Sequence, residues 1–347
     1  MKITGVATSR LFASATAGEA VTTNCLLELQ TDEELTGIAI TPADAEPIVL
    51  RLAQSLLLGA DPRASFGLYE RMNEALGTCG PNDALARAAL DLAIWDLKAK
   101  AECNPLWRTL GGGRPRANAH VHWSGTRVDN KAANKWFKHI RDECGIRRAS
   151  ISATRNIDTD LSRLVHVRAM LDANTLDSAL MLDFGARWWP GDVIRHTRAI
   201  EQSVDLTWIR SPAASGDFLG AQHVAGAVTA PVVCGQQLAS RAAFLPYLQN
   251  YAANIVELDI NLLGISGVLQ MADAAFGFEL PVVLSAAPGN VHVHVASALA
   301  TVMSVEVWNA DDRDSRLDTD VVITAGRIGA GLRPGTGMLI KREVPSA

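Results

Sequence analysis

The chain has 347 residues, of which 48% are hydrophobic and 20% charged, with a formal net charge of −5; this is room for one large α/β barrel plus a smaller domain. The acidic balance excludes the basic surface that nucleic acid or an anionic membrane selects, so neither is expected as a partner. Five cysteines (Cys25, Cys79, Cys103, Cys144, Cys234) without CxxC spacing exclude a disulfide framework or thiolate zinc site, and with no signal-like N-terminus and no apolar span of about 18 residues expected, a soluble cytoplasmic protein follows.

Residues 1–50 read as strands and turns: ITGVATSRL, NCLLELQT and, after the charged turn DEEL, GIAIT. The loop Phe12–Thr23 is rich in Ala, Ser, Thr and Gly. From Asp44 to Gly111 the pattern turns helical. The clearest helix takes Asn82-Asp83 as its N-cap and runs through ALARAALDLAIWDLKAKA, with Leu85, Ala88, Leu92, Trp95 and Ala99 on one face. Asn104-Pro105 stops it, PLWRTL forms a short second helix, and Gly111–Gly113 ends that. The run from Gly111 to Arg116 is the candidate domain boundary.

A βα alternation follows. Strand ends are expected near His122, Ser152, Asp183, Arg210, Gln236, Asp259, Ser285 and Glu306, separated by amphipathic stretches such as DTDLSRLVHVRAML and GISGVLQMADAAFG. The centre of this pattern is Leu206–Pro212, LTWIRSP, a buried strand ending in Arg210. Asp183, Arg210, Gln236 and Asp259 recur roughly every 25 residues, which is the length of a strand-plus-helix unit in a parallel barrel. Functional side chains of such barrels stand at the C-terminal strand ends, so these four are expected to converge on one mouth. The segment Val321–Ala347 returns to β and turn character and is expected to pack back on the first domain.

Several stretches carry a family resemblance across nearly the whole chain. ALARAALDLAIWDLKAKAECNPLWRTLGG looks like a cap-to-barrel helix, WIRSP stands where that family has WIEEP, and CGQQL where it has GES-like text. LDINLLGIS matches PDxxxxGGI, and PGTGM resembles PGLG. The chain thus resembles the enolase superfamily, in its mandelate racemase/muconate lactonising branch. The resemblance implies an α/β fold, a modified TIM (β/α) barrel at 114–320, with an N-terminal α+β capping domain at 1–113 that the segment 321–347 completes. It also implies a homo-oligomer.

In that family a proton α to a carboxylate is removed while magnesium, held by three carboxylates on the third, fourth and fifth barrel strands, stabilises the enediolate. Carried over by position, Asp183 is the one retained metal ligand; the second ligand position holds Arg210 and the third Gln236. The two lysine positions of the KxK motif are Ser150 and Ser152. Asp259 keeps the sixth-strand Asp, its His partner position reads Ser285, and Glu306 matches the eighth-strand Glu that contacts substrate. One carboxylate, an amide and a guanidinium make a poor Mg²⁺ site, so no cofactor is expected there.

Two readings stay open. In the first the protein is a metal-independent lyase or isomerase (dehydratase, racemase or epimerase) acting α to the carboxylate of a small acid. Arg210, paired with Asp183, stands in for the metal; Asp259 is the base, and His122 an acid or base. Ser150, Ser152, Gln236, Gln237, Ser285 and Glu306 then bind substrate. In the second the protein is a non-catalytic descendant that binds a small acid or has a structural or regulatory role, and Asp183–Arg210 is a structural ion pair.

Duller readings attach to each residue. Asp259 caps the following segment, and the two serines are fillers with no His expected beside them. His120 and His122 are read as alternating, with one facing the interior. His292 and His294 fall on different faces of a helix and are set aside as a metal pair. Trp188 and Trp189 line the mouth or pack loops, and Cys234 is a small buried hydrophobe. Substrate choice is assigned, by resemblance, to Phe12–Thr23 and a stretch within Leu50–Ser65.

Overall fold

The structure is a computed structural model that describes residues 1–12, 23–77, 80–113, 116–125, 131–172, 178–307 and 317–341. Most of the loop expected at Phe12–Thr23 (13–22) therefore lies outside the described residues, as do Cys79, part of the Gly111–Arg116 boundary and 342–347.

The first elements form an antiparallel sheet of β1 (Ile3–Phe12), β2 (Thr23–Thr31) and β3 (Thr36–Pro42). Helices α1 (Glu46–Leu52), α2 (Ser65–Leu76), α3 (Pro81–Ala101) and α4 (Leu106–Thr109) follow, with a π-helical turn at Ala53–Leu57 between α1 and α2. The long helix starts slightly earlier than Asn82-Asp83. Pro81 takes its first position, where a missing N–H costs nothing, and the Asp83 carboxylate accepts from the Gly80 amide at 2.9 Å. This helix is buried on most sides because the sheet packs on one flank and the barrel on the other. At Gly37 the sheet comes so near that a Cβ would stand 2.2 Å from the Ala93 carbonyl oxygen.

Eight parallel strands then close a barrel: β4 (Arg116–Trp123), β5 (Arg148–Ser152), β6 (Ala179–Asp183), β7 (Trp208–Arg210), β8 (Val232–Cys234), β9 (Ile255–Leu258), β10 (Val282–Leu284) and β11 (Val302–Glu306). Closure is between β11 and β4, with Glu306 opposite His120. The outer helices are α5 (Lys131–Asp142), α6 (Ile157–Asp172), α7 (Pro190–Glu201), α8 (Phe218–Ala225), α9 (Arg241–Gln249), α10 (Ile260–Gly277) and α11 (His292–Ala296). Inside the barrel, Met181, Trp208, Val233, Ile255 and Val283 form an apolar plug separate from the main core. Met181 and Trp208 stand two residues before the ends of their strands, so the next inward residues there, Asp183 and Arg210, fall at the mouth.

Three strands stop short of the sequence expectation. β8 ends at Cys234 and Gly235 takes φ +128°, β9 ends at Leu258, and β10 ends at Leu284. After the barrel, β12 (Leu317–Asp318) pairs with β15 (Leu339–Ile340), and the hairpin of β13 (Val322–Thr324) and β14 (Arg327–Gly329) runs antiparallel along β4. That hairpin extends the barrel sheet instead of lying on the first domain. The chain reaches the first domain further on, where the Leu106 amide donates to the Gly335 carbonyl at 2.7 Å.

The α10 helix crosses over α3. Gly264, at φ +68°, leaves so little space that a Cβ would stand 2.6 Å from the Asp91 carboxylate. Contrary to the expectation of no such span, Ile260–Gly277 is long and apolar enough to cross a membrane by length and mean hydropathy (1.2) alone. Its apolar character has a local cause, since 56% of it is buried between the barrel and α3.

Candidate active site

The barrel mouth is built on Arg210. Its register partner on β6 is Asp183, and its own strand buries it at 5% exposure, so the guanidinium meets neighbours instead of water. It donates from Nη2 to Asp183 Oδ2 at 2.8 Å, and from Nη1 to Glu306 Oε2 at 2.6 Å and Glu257 Oε1 at 3.1 Å. Three carboxylates on three strands thus share one cation. Burial opposes the charge of Arg210, but Glu257, Glu306 and Asp183 together hold the guanidinium protonated well above its ordinary range.

The carboxylates differ. Asp183 spends its other oxygen on the Gly185 amide at 2.8 Å. Burial alone would raise Glu306, yet the Arg210 guanidinium, by its charge and its hydrogen bond, holds it down at about 2. Glu257 is pushed up to about 7 by burial, with Glu306 and Asp183 raising it further against Arg210 and the Ser285 hydroxyl. That hydroxyl donates to Glu257 Oε1 at 2.7 Å, while Oε2 has no hydrogen-bond partner among the described residues. Glu257 is absent from the residues the sequence singles out. The signal available is its position two residues after Ile255 in the run IVEL, which by alternation puts it on the same inward face of β9.

Asp259 caps α10, accepting from the Asn261 amide and side chain, each at 2.8 Å. Burial raises it to about 6, against those two hydrogen bonds. It makes no direct bond to Arg210 among the described contacts, but it feels the charges of Glu306 and Arg210.

The histidines of β4 correct two expectations. Residues two apart in a strand share a face, so His120 and His122 both point inward. His120 Nδ1 lies 2.8 Å from Ser304 Oγ, its ring stands edge-on to Trp208 of the plug, and Nε2 is 3.9 Å from Glu306. His122 Nε2 lies 3.2 Å from Ser152 Oγ, so a histidine does stand beside one of the serines. No triad results, because His122 Nδ1 has no partner among the described residues. Burial lowers His120 to about 3 and His292 to about 4 and pulls His122 down as well, so all three are neutral. His292 Nε2 meets the Glu306 carbonyl oxygen at 2.9 Å, whereas His294 Nδ1 accepts from the Trp107 amide at 3.2 Å. The two serve different partners.

Neighbouring loops set these positions. Arg163 on α6 donates to the Ser152 carbonyl at 2.8 Å and the Gly125 carbonyl at 2.9 Å, and is itself held by Asp160, which also meets His196 and Thr154. Ser150 is 2% exposed with its hydroxyl unpartnered among the described residues. Gln236 and Gln237 do not join the Arg210 cluster. With β8 ending early, they line a small cavity with Ser211, Ser215, Cys234 and Tyr247. Cys234 is buried there, and burial pushes its thiol far up, as suits an inert small hydrophobe. Trp188 packs on Phe184 and His196, while Trp189 is 78% exposed.

Comparison with known proteins gives the family. Residues 132–344 match the family described as enolase C-terminal domain-like, and residues 6–111 match the mandelate racemase / muconate lactonizing enzyme N-terminal domain. L-talarate/galactarate dehydratase of Salmonella typhimurium is 29% identical over 226 residues, covering 63% of this chain and 55% of that protein. The chain therefore spans about half the length of that relative. A 3,6-anhydro-alpha-L-galactonate cycloisomerase of Streptomyces coelicolor is 25% identical over 293 residues, covering 83% and 79%. Among solved structures, an enolase from Bradyrhizobium complexed with magnesium and mandelic acid superposes with a TM-score of 0.86 at 22% identity, covering 98% of this chain and 96% of that one.

Proposed function

The chain belongs to the mandelate racemase/muconate lactonising branch of the enolase superfamily, and from that premise we propose that it is a lyase or isomerase working at the carbon α to the carboxyl group of a small hydroxy acid, without a divalent metal. The reaction class is supported by relatives that are a sugar-acid dehydratase and a cycloisomerase. The bound ligand of the Bradyrhizobium structure, mandelic acid, supports a small hydroxy acid.

Metal independence rests on one observation: the Arg210 guanidinium is hydrogen-bonded at once to Asp183, Glu257 and Glu306. Those carboxylates are the hard oxygen donors a magnesium ion would need, and each already faces a fixed cation. A dication entering beside Arg210 would meet like charge in a buried setting, and the third family ligand position, Gln236, lies in another pocket. The donor set does not fit the ion.

In the mechanism this supports, Asp259 takes the α-proton through the carboxylate oxygen it does not spend on Asn261. Negative charge that develops on the carbonyl oxygen meets the Arg210 Nε–H, a buried donor with no partner among the described residues. In a dehydration the β-hydroxyl leaves as water once it receives a proton, and Glu257, carrying a proton up to about pH 7, is the donor the site supplies. In a racemisation or epimerisation of the opposite stereoisomer the roles reverse: His122 on β4, a neutral imidazole, takes the α-proton, and the Asp259 carboxyl, which burial raises to about 6, returns one from its own face. Ser150, Ser152 and Ser285 orient the substrate hydroxyls. The test is α-proton exchange in D₂O by NMR over hydroxy and sugar acids. Exchange that survives EDTA supports the reading, and exchange that EDTA abolishes contradicts it.

A further inference from the structure

We infer that Arg163, on the outer helix α6, is a positioning residue for His122: it clamps the ends of β4 and β5 together, so that the His122 ring stays seated on Ser152. This deepens the proposed function and rests on the part in proton transfer that it gives to His122.

The first ground is what the guanidinium holds. The ladder between β4 and β5 has Trp123 and Ile151 as its last register pair. Gly125 and Ser152 lie beyond that pair, and Arg163 donates to both their carbonyl oxygens, from Nη2 to Gly125 at 2.9 Å and from Nη1 to Ser152 at 2.8 Å. One planar fork thus ties two strand ends that the ladder no longer joins. Ser152 is also the residue whose hydroxyl lies 3.2 Å from His122 Nε2. The same side chain therefore fixes both the strand that carries the ring and the partner that the ring rests on.

The second ground is what holds the guanidinium. Arg163 is 5% exposed and Asp160 is fully buried, with Arg163 Nη1 2.8 Å from Asp160 Oδ1. Asp160 also accepts from the Thr154 amide at 2.7 Å and the Thr154 hydroxyl at 3.0 Å, and meets His196 Nε2 at 3.0 Å. The Ala153 amide donates to the Asp183 carbonyl at 2.7 Å, so Ser152, Ala153 and Thr154 each have a backbone group held by another element. Arg163 itself contacts two backbone carbonyls and one carboxylate, none of them in the Arg210 cluster. It acts on the reaction only through the ring it positions.

The third ground is how little else orients that ring. His122 Nδ1 has no partner among the described residues, which leaves the Ser152 contact to set the direction of the imidazole. Proton transfer needs the two heavy atoms within hydrogen-bond reach, and a displacement of about 1 Å can cost about a hundredfold in rate.

The test is long-range ¹H–¹⁵N NMR of the histidine-labelled full chain, in wild type, Arg163→Lys, Arg163→Met and, as a control, Arg141→Met. Arg163→Lys keeps a positive charge beside Asp160, but an ammonium does not reproduce the fork that spans both carbonyls. Arg141 donates to the Met170 carbonyl, away from β4 and β5. The His122 signals are identified by their loss in His122→Asn. In wild type the two His122 nitrogens are expected far apart, one protonated and one not. In Arg163→Lys they draw together as the ring loses its fixed orientation, and further in Arg163→Met. The His120 pair, held by Ser304, stays in place throughout, as do the His122 signals in Arg141→Met. With a stereoisomer whose α-proton His122 takes, exchange in Arg163→Lys falls at least about tenfold in kcat, with KM kept within about twofold. The lysine variant decides by itself, since it leaves no buried carboxylate without a counter-charge. His122 signals that it leaves unmoved, or a loss of exchange that Arg141→Met reproduces, would overturn the inference. The NMR readout needs no substrate, so moved signals without α-proton exchange in any compound would count against the proposed function instead.

Discussion

Two parts of the molecule bury charged groups, and they treat them differently. At the seam between α3 and the rest of the chain, Asp96 is fully buried and accepts from the Ile38 amide, Lys100 Nζ and both the amide and hydroxyl of Thr336, at 2.6–3.0 Å. One turn away, Asp91 accepts from the Ser266 amide at 2.8 Å and its hydroxyl at 2.6 Å, and that hydroxyl takes the Trp95 indole N–H. None of these seam residues leaves a buried side-chain atom unpartnered among those described. The mouth has more charge and poorer satisfaction: three carboxylates on one guanidinium, with four orphaned atoms beside them. A saturated network fixes the position of one element on another. An unsaturated one, at the end of a barrel, is prepared for something that arrives later.

The sharpest way to break this comparison is Arg210→Met. It leaves Asp183, Glu257 and Glu306 buried without a counter-charge, so a loss of about 3–5 kcal/mol is expected in urea unfolding. Because three carboxylates are involved, adding Asp183→Asn alone recovers little; adding Glu257→Gln and Glu306→Gln as well recovers most of it. At the seam, Asp96→Ala strands two backbone amides and an ammonium, with an expected cost of about 2–3 kcal/mol and no change in the ligand preference of the mouth.

A subtler contrast is in pH. Burial raises Asp91 to about 7 and Glu257 to about 7, both above their unfolded values. Between pH ~4 and 7 the folded chain therefore holds protons that the unfolded chain has released, and stability falls as pH rises through that window. Asp91→Asn and Glu257→Gln should each flatten this fall in melting temperature, but Glu257→Gln alone should also alter binding. The smallest effect is that of Ser285→Ala, about 1 kcal/mol, because Glu257 Oε1 keeps its bond to Arg210.

Much of this arrangement was legible in the sequence. Each short apolar run ending in a polar residue marks a strand end, and LTWIRSP set against ALMLD already places a guanidinium beside a carboxylate. What was not legible follows from alternation and from strand length. Glu257 sits inside the run IVEL, where it reads as an interruption until alternation with Ile255 puts it on the inward face. His120 and His122 share a face by the same period of two. Gln236 would join the cluster only if β8 reached it; the strand instead ends two residues earlier, at Cys234, and Gly235 follows with positive φ, a backbone event that spacing alone does not reveal.

The central claim is that Arg210 is the resident cation of a site in which a divalent ion has no place. Thermal unfolding of the full chain in EDTA and in millimolar magnesium tests it most directly, with Asp183→Asn run in parallel. The account predicts the same melting temperature in both solutions for wild type, since a ligand that does not bind the folded state cannot shift its stability. A rise in melting temperature with magnesium that Asp183→Asn abolishes would contradict it.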